Sequence, residues 1–331
     1  MTPVWTRETL LDASGAFMTN CVLGTAAELG IFDLLDQASL TAEEVASRIG
    51  GSLRGTRILL DALAALGLVS KEGERYALPA TLRGLLTSTG AETVLPMLLH
   101  RMNVARSWTM LAWTVKAGFP APRPASIRGP HADYEAFAAA MHVVSQPVAE
   151  KLVRQLCPLS FRRLLDLGGA TGTWTLAFLQ AVPDSEAILL DLPIVIEQAR
   201  QRLAQEVLGS RIRLVAANYL QDPLPGPVDF CWVSAICHQH SREENRRIFR
   251  KLLEVTEPGG RIAIRDIVLR EDRIWPIQGA LFAVNMLANT TGGNCYTFRE
   301  YAEDLEAAGW QEPEWVVKTE DMNCVIVARR P

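Results

Sequence analysis

The sequence predicts an α/β protein in two parts: an N-terminal winged-helix domain, all-helical apart from its wing, and a Rossmann-like domain with a seven-stranded, mostly parallel sheet. In the first part, apolar residues recur every three to four positions, as on one face of a helix. After Phe161, short apolar runs alternate with helical stretches, which is the pattern of a parallel sheet covered by helices. The length of 331 residues also favours two domains over one.

Composition and charge restrict the partners that we expect. The chain is 49% apolar and 21% charged, as in an ordinary globular protein. Proteins that grip phosphate backbones are usually basic, so the net charge of -4 predicts no nucleic-acid partner. Because no apolar run reaches the roughly 18 residues of a membrane helix, no membrane partner is expected. The six cysteines are scattered without a CxxC pair, which favours reduced thiols and a cytoplasmic location.

Residues 1–100 are assigned to the winged-helix domain. Leu10–Leu35 carries apolar residues at helical spacing and is predicted to be one helix. A capping box at Thr41–Glu44 begins a short helix, and another helix follows over Leu53–Leu66. Two short strands then flank the polar turn Lys71–Glu74. DNA binding is the alternative for such a domain, but the presumed recognition helix turns apolar after its start, which favours packing against protein.

Residues 101–150 are predicted to form a helical linker that contributes to a substrate pocket. A loop is expected within them, because prolines punctuate the chain there: Pro120, Pro122, Pro124 and Pro130. Methionine and tryptophan residues surround that loop. They either pack as ordinary core or roof a pocket for a flat aromatic substrate. These residues are Met97, Met102, Trp108, Met110 and Trp113.

Residues 151–331 are assigned to the Rossmann-like domain. Short apolar runs separated by helical stretches indicate its strands. No internal repeat or low-complexity segment interrupts this order. The predicted strands are Arg163–Leu167, Ala187–Leu190, Arg211–Ala216, Val228–Val233, Arg261–Ile267, Glu314–Lys318 and Asn323–Ala328.

The first of these strands runs directly into a glycine-rich turn, Asp166-Leu-Gly-Gly-Ala-Thr-Gly172, and then into a helix. Glycines allow a tight turn and a close approach to a ligand. A carboxylate at Asp166 would repel a pyrophosphate but can serve a zwitterionic amino-acid ligand. Asp191 ends the second strand, where a carboxylate accepts hydrogen bonds from ribose hydroxyls, although it could instead cap the helix that begins near Pro193. On spacing alone, a nicotinamide dinucleotide remains an alternative ligand.

A histidine follows the fourth strand, within Ser234-Ala-Ile-Cys-His-Gln-His240. A capping box at Ser241–Glu244 opens the next helix, so His238 lies at the sheet edge that faces the ligand crevice. The positive helix end favours a neutral imidazole, as a general base requires. His238 is therefore the candidate base, with His240 as its competitor. The two histidines lack a partner at metal-ligand spacing, so no metal is predicted, and no hydrolase elbow motif is present.

The order of these motifs resembles that of the plant-type and bacterial small-molecule O-methyltransferases, which include caffeate, hydroxyindole and polyketide enzymes. The resemblance rests on the glycine turn, Asp-Leu-Pro at 191–193, Ile-Cys-His at 236–238, Pro-Gly-Gly at 258–260 and Thr-Gly-Gly at 291–293. It covers nearly the whole chain. It implies S-adenosyl-L-methionine as cofactor, an aromatic or polyketide-like small molecule as methyl acceptor, and a homodimer formed by the N-terminal domain.

The same resemblance implies roles for individual residues. His238 would be the general base and Asp266, after the fifth strand, would orient it. Ser145 would bind the cofactor carboxylate. The full set of implied cofactor contacts is Ser145, Asp166, Gly168, Gly169, Gly172, Asp191, Leu192, Asn218, Tyr219 and Ser234. The expected acceptor contacts are Phe137, Met141 and Asn289, with ordinary helix packing as the alternative for the first two.

The chain departs from the family pattern at several positions, among them Asn218 and Tyr219, where the family has an aspartate and an apolar residue. Cys295 stands where a second acid is usual, and Gln239 stands where an aspartate usually follows the base. Ala170 replaces a third glycine, which is tolerable only if its φ is negative. These departures leave open methyl transfer to carbon, nitrogen or sulfur and a catalytically altered, cofactor-binding member. A non-enzymatic regulator and a dehydrogenase are the alternatives from other classes.

Overall fold

The computed structural model describes residues 5–331, which form two compact units. The first, here called the N-terminal unit, runs to Ala105 and resumes over Pro124–Val143. The second, the sheet unit, comprises Arg106–Arg123 and Val144–Pro331. Residues 101–150, expected to form a linker of their own, are thus divided between the two units. The first four residues of the predicted winged-helix domain lie outside the described residues.

The helices and strands are named here in chain order. Within residues 5–331 the helices are α1 (Arg7–Gly15), α2 (Phe17–Glu28), α3 (Ile31–Gln37), α4 (Ala42–Ile49), α5 (Leu53–Ala65), α6 (Ala80–Leu86), α7 (Leu95–Trp108), α8 (Leu111–Ala117), α9 (Gly129–Gln155), α10 (Thr173–Ala181), α11 (Pro193–Leu203), α12 (Arg242–Val255), α13 (Ile277–Asn289) and α14 (Phe298–Ala307). The strands are β1 (Leu40–Thr41), β2 (Ser70–Glu72), β3 (Arg75–Ala77), β4 (Arg163–Leu167), β5 (Glu186–Asp191), β6 (Ile212–Ala216), β7 (Val228–Ser234), β8 (Thr256–Asp266), β9 (Val268–Leu269), β10 (Tyr296–Thr297), β11 (Gln311–Val317) and β12 (Cys324–Arg329).

The helix predicted over Leu10–Leu35 is wrong, because three helices, α1 to α3, occupy that stretch. Gly30 adopts a left-handed φ of 66° between α2 and α3 and turns the chain, although the apolar spacing continues past it. In the part of the chain that the structure describes, no single helix is long and apolar enough to cross a membrane. The segments Arg7–Glu28 and Ile31–Gln37, which are bent by 62° relative to each other, together have the length and apolar composition of a membrane span. Buried helices of globular proteins share these two properties.

The predicted winged-helix elements are otherwise present. The Thr41 side chain accepts from the Glu44 backbone and completes the capping box of α4. The hairpin forms from β2 and β3, shifted by up to two residues from the prediction. A third strand, β1, pairs antiparallel with β3. Two residues are too few to show strand alternation, so the sequence gives no signal for β1.

The seven-stranded sheet is confirmed, with strand order β11-β12-β8-β7-β4-β5-β6. All neighbouring pairs are parallel except the two that involve β12. Side chains alternate between two apolar layers: Leu165 and Val233 pack in one, and Leu164, Trp174 and Trp232 in the other. Helices on both faces bury these strands, which explains their almost continuous apolar sequence.

The parallel strands carry the candidate site residues to one edge of the sheet. Asp166 lies near the end of β4, and β5, β7 and β8 end at Asp191, Ser234 and Asp266. The carboxyl ends of parallel strands share an edge, and in open α/β sheets ligands bind outside that edge.

The loop predicted from four prolines is present around Pro120, Pro122 and Pro124. Pro130 instead lies in the first turn of α9, so its assignment to the loop is wrong. Proline is tolerated there because the first N–H groups of a helix have no intrahelical acceptor.

Candidate active site

The turn after β4 approaches its neighbours so closely that side chains are excluded. Gly168 has a φ of 66°, and a Cβ atom there would lie 2.5 Å from Ile236 Cδ1. At Gly169 a Cβ atom would lie 2.8 Å from Leu189 Cγ and 2.9 Å from Asp166 Cγ. All three contacts are closer than real Cβ atoms tolerate. The sequence requirement for glycine therefore follows from packing, as well as from any ligand that the turn holds.

Ala170 departs from the expectation of a negative φ, because its φ is 48°. That left-handed conformation directs its backbone N–H to Asp191 Oδ2, at 2.9 Å. The strain at Ala170 thus accompanies a hydrogen bond between the glycine turn and the end of β5. An alanine in this conformation costs about 1–2 kcal/mol relative to the right-handed region.

Replacement of Ala170 by glycine is expected to stabilise the protein by about 1 kcal/mol, because strain relief exceeds the added entropy of the unfolded chain. Ala302→Gly, in the interior of α14, is the matched control and should destabilise by about 1 kcal/mol. Urea unfolding measures both changes. Equal destabilisation by the two variants would show that Ala170 is not strained.

Asp191 is held at the end of β5 by two backbone hydrogen bonds. Its Oδ1 accepts from the Leu192 N–H at 2.7 Å, and its Oδ2 accepts from Ala170. Leu192, not Asp191, is the N-cap residue of α11, so the capping alternative for Asp191 is wrong. Burial raises the pKa of Asp191, against the lowering effect of the two N–H donors. Each oxygen of a carboxylate has a further lone pair, so Asp191 can still accept from ligand hydroxyls.

Asp166 is a buried carboxylate, 1% exposed. Its Oδ2 accepts from Thr175 Oγ1 at 2.6 Å, whereas its Oδ1 has no hydrogen-bond partner within residues 5–331. Burial raises the pKa of Asp166 to about 7, with a smaller opposing effect from the Thr175 hydroxyl. An unpaired buried oxygen is costly, so Oδ1 fits a ligand that brings a hydrogen-bond donor, such as an ammonium group.

Replacing Asp166 by asparagine is expected to stabilise the ligand-free protein above pH 7. Between pH 3.8, the ordinary pKa, and about 7, the folded chain keeps a proton that the unfolded chain has released, so stability falls as pH rises. The uncharged amide removes this dependence, with a gain of up to about 4 kcal/mol at pH 8. Urea unfolding at pH 5 and pH 8, with exposed Asp184→Asn as control, tests it. A gain that does not grow with pH would contradict the assignment.

His238 and Asp266 form a buried pair, 5% and 1% exposed. His238 Nδ1 lies 2.7 Å from Asp266 Oδ1, and the His238 backbone N–H donates to Oδ2 at 3.2 Å. The backbone of Ile267 also donates to Oδ1, at 2.8 Å. A carboxylate that accepts this bond requires the hydrogen on Nδ1, and in the neutral imidazole Nε2 then has its lone pair available. The predicted partnership of His238 and Asp266 is thus present as geometry, and their catalytic roles stay a prediction.

The competing histidine is engaged elsewhere. His240 Nε2 lies 2.8 Å from the Tyr219 hydroxyl, and the two rings meet edge to face. Burial lowers the pKa of His240. Within residues 5–331 no three His, Cys, Asp or Glu side chains are grouped as metal ligands. Of the two candidate histidines, His238 is therefore the one that is paired with a buried carboxylate.

The remaining predicted cofactor contacts form local bonds. Ser145 Oγ accepts from Trp174 Nε1 at 3.2 Å, and Ser234 Oγ accepts from the guanidinium of Arg265 on β8. Asn218 Oδ1 accepts from the Leu220 N–H at 3.0 Å and so shapes the turn after β6. The side-chain amide nitrogen of Asn218 is then the group that can donate to a ligand. Ser145 and Ser234 are thus linked to buried neighbours on the same unit.

The predicted acceptor contacts are divided between the two units. Phe137 and Met141 belong to the N-terminal unit, where the Phe137 ring packs 5.1 Å from that of His100. Asn289 is exposed at the end of α13 and donates to the Asn285 backbone and side chain. Sequence reasoning missed Phe282 on α13, whose ring meets the His238 imidazole edge to face at 4.8 Å. No motif marks Phe282, so only its place on the apolar α13 could have drawn attention to it.

Two of the positions that depart from the family pattern, Cys295 and Gln239, have structural roles in this chain. Cys295 is buried, and burial raises the pKa of its thiol, so it brings no second negative charge near Asp266. Gln239 Nε2 donates to the Ala235 carbonyl at 2.8 Å and holds the turn before α12. Asp266 is therefore the acid that contacts the candidate base.

Comparison with known proteins gives consistent matches along the chain. A model described as the O-methyltransferase domain matches residues 124–311, and one described as the O-methyltransferase dimerisation domain matches residues 11–88. The 3-hydroxy-5-methyl-1-naphthoate 3-O-methyltransferase of Streptomyces sahachiroi is 30% identical, over 94% of this chain and 91% of that protein. The N,N-dimethyltransferase OxyT of Streptomyces rimosus is 26% identical, over 94% and 92%. The solved human N-acetylserotonin methyltransferase, in complex with SAM, is 25% identical with a TM-score of 0.80 and full coverage of this chain and 99% of that one.

Proposed function

The chain belongs to the O-methyltransferase family, which depends on S-adenosyl-L-methionine (SAM), and from this premise we propose that it methylates a hydroxyl of an aromatic or polyketide-like small molecule. The observation that carries the proposal is the buried pair of His238 and Asp266, 2.7 Å apart, at the same sheet edge as the glycine turn. A hydroxyl must lose its proton as it attacks, and a neutral imidazole with a free Nε2 can take that proton.

The residues at the sheet edge fit SAM. The unpaired Asp166 Oδ1 suits its ammonium group, the free lone pairs of Asp191 suit its ribose hydroxyls, and the turn at Gly168 and Gly169 leaves room for no side chain of its own. When bound, SAM supplies an electrophilic methyl group. The protein then has to hold the acceptor oxygen in line with that methyl group and remove one proton.

His238 performs the proton transfer in this proposal. The acceptor hydroxyl donates to Nε2, the proton moves to that nitrogen as the oxygen attacks, and an imidazolium forms. Asp266 fixes the ring through Nδ1 and stabilises the positive charge that appears on it. The edge of Phe282 beside the imidazole adds an apolar surface that suits a flat acceptor ring.

Product analysis tests the proposed reaction. Purified protein would be incubated with isotopically labelled SAM and matched acceptors that share one ring and carry a hydroxyl, an amine or a thiol. Mass spectrometry with fragmentation locates the methyl group, and the hydroxyl compound is expected to react fastest. Preference for the amine would favour the second candidate, N-methyl transfer, which the similarity to OxyT supports. No turnover of any acceptor, with SAM bound, would favour the non-enzymatic regulator.

Homodimer formation is also part of the proposal. Apolar side chains on α1 and α2 are more than half exposed, among them Leu11 and Phe17, within the stretch that matches the dimerisation domain. The double variant Leu11→Asp, Phe17→Asp is expected to dissociate the dimer at micromolar concentration, because a stable interface of this kind buries roughly 2,000 Å² or more of mainly apolar surface. Light scattering measures the mass. Val207→Asp, at an exposed apolar residue of the sheet unit, is the control. A monomeric wild type would reject the dimer.

Location and other partners stay proposals. All six cysteines are free, which agrees with a reducing, cytoplasmic location. The net charge of -4 remains the reason to expect no nucleic-acid partner, and the lack of a long apolar run remains the reason to expect no membrane partner.

A further inference from the structure

A buried arginine that the sequence analysis did not single out lies beside Asp266 at the end of β8. Arg265 is 5% exposed. Its Nε and Nη2 donate to Asn323 Oδ1 at 3.0 and 2.8 Å, and its Nη1 donates to Ser234 Oγ at 3.1 Å. Both acceptors are neutral, and no carboxylate of the described chain lies within 4 Å of the guanidinium. A buried cation that forms no direct ion pair is costly, so its presence requires an explanation.

The nearest acids attract Arg265 electrostatically but make no direct ion pair with it. Asp266 is hydrogen-bonded to His238, and Asp321 accepts from the Asn323 amide at 3.1 Å. Burial lowers the pKa of Arg265 to about 10, so the guanidinium is positively charged at neutral pH. Of its five N–H donors, three are used, and two have no acceptor among residues 5–331.

The neighbours of Arg265 are the predicted contacts of the cofactor's amino-acid group. Its guanidinium stacks 4.5 Å from the Trp174 ring centre, and Trp174 Nε1 donates to Ser145. The next residue on α10, Thr175, donates to Asp166. The cation and the buried acid thus contact consecutive residues of one helix. Their strands, β8 and β4, are separated by β7 and so lie roughly 10 Å apart, with a long side chain reaching across from β8.

An α-amino acid group carries an ammonium and a carboxylate on one carbon, so a buried site for it needs one charge of each sign. Asp166 supplies the negative charge. We propose that Arg265 supplies the positive one, as the binding residue for the carboxylate of the methionine group of SAM, with Ser145 and Ser234 as its polar neighbours. This inference rests on the proposed function. A purely structural link between β8 and Asn323 would be served as well by a neutral side chain, without a buried charge.

The test compares two ligands that differ in the carboxylate alone: SAM and decarboxylated SAM. Calorimetry would give the affinity of each for the wild type, Arg265→Met and Arg265→Lys. Arg265→Met is expected to bind SAM about 10- to 100-fold more weakly and decarboxylated SAM within about twofold of the wild type. Arg265→Lys should keep most of the preference for SAM. Exposed Arg261→Met, four residues earlier on the same strand, is the matched control and should change neither affinity.

The outcomes separate the inference from the function on which it rests. Equal weakening of both ligands by Arg265→Met would assign Arg265 a structural role and overturn the inference. A wild type that binds the two ligands equally would overturn it while leaving SAM-dependent methyl transfer intact. A wild type that binds neither would overturn both. Circular dichroism checks that Arg265→Met folds, and if it does not, the wild type and Arg265→Lys decide by the same criterion.

Discussion

His238→Ala is expected to lower turnover by about 10²–10⁴-fold, the usual contribution of a general base, while cofactor affinity stays within about twofold. The imidazole would contact the acceptor and not the adenosyl group, so the loss should appear in the chemical step. The reason lies in the geometry: Nδ1 is committed to Asp266 and Nε2 has no partner in the described chain. Single-turnover rates with saturating SAM, together with calorimetric SAM affinity, measure the two effects separately.

Two companion variants sharpen this test. Asp266→Asn should cost less than His238→Ala, because the amide keeps a hydrogen-bond acceptor near Nδ1 and loses only charge and part of the orientation. His240→Ala is the matched control, since that ring bonds to Tyr219, and it should retain most of the turnover. If His238→Ala keeps full activity at neutral pH, the acceptor is already ionised or is not a hydroxyl, and methylation of carbon, nitrogen or sulfur takes precedence.

Asp191→Ala should weaken SAM binding roughly tenfold or more, because each charge-assisted hydrogen bond to a ribose hydroxyl contributes about 1.5–3 kcal/mol. The structure adds a second cause: the carboxylate also accepts from the N–H groups of Ala170 and Leu192, so its removal loosens the turn that faces the ligand. Calorimetry measures the affinity, with exposed Asp184→Ala as control.

Comparison with a ligand that lacks ribose contacts isolates the first cause. In Asp191→Ala, S-adenosyl compounds should lose more affinity than methionine alone, and any loss for methionine measures the effect of the loosened turn. Unchanged SAM affinity in the variant would remove Asp191 from the cofactor site.

The strands and their ends could be predicted because parallel strands are covered on both faces and their sequences are therefore almost wholly apolar. That property allowed the bounds of β4 to be predicted. It also allowed Asp191 and His238 to be assigned to the edge of the sheet where ligands bind. The start of β8 was predicted five residues too late, at Arg261, because Pro258-Gly259-Gly260 has the composition of a turn and yet lies within the strand.

Other features depend on tertiary packing and leave no periodic signal. Gly30 lies in an unbroken apolar pattern, so the bend between α2 and α3 is invisible in sequence. The positive φ of Ala170 follows from its bond to Asp191, twenty-one residues away. Arginine is usually exposed to solvent, so the sequence gives no sign that Arg265 is buried. Its burial is evident only in the folded structure, where Trp174 and Ser234 contact it.

The raised pKa of Asp166 has a consequence for how cofactor uptake is coupled to the surrounding medium. With a pKa of about 7, a substantial fraction of ligand-free molecules carry a protonated Asp166 at neutral pH. An arriving ammonium group favours the carboxylate form and expels that proton. Under the proposed role, SAM capture therefore releases part of a proton into the buffer, and the apparent binding heat varies with the ionisation enthalpy of the buffer chosen.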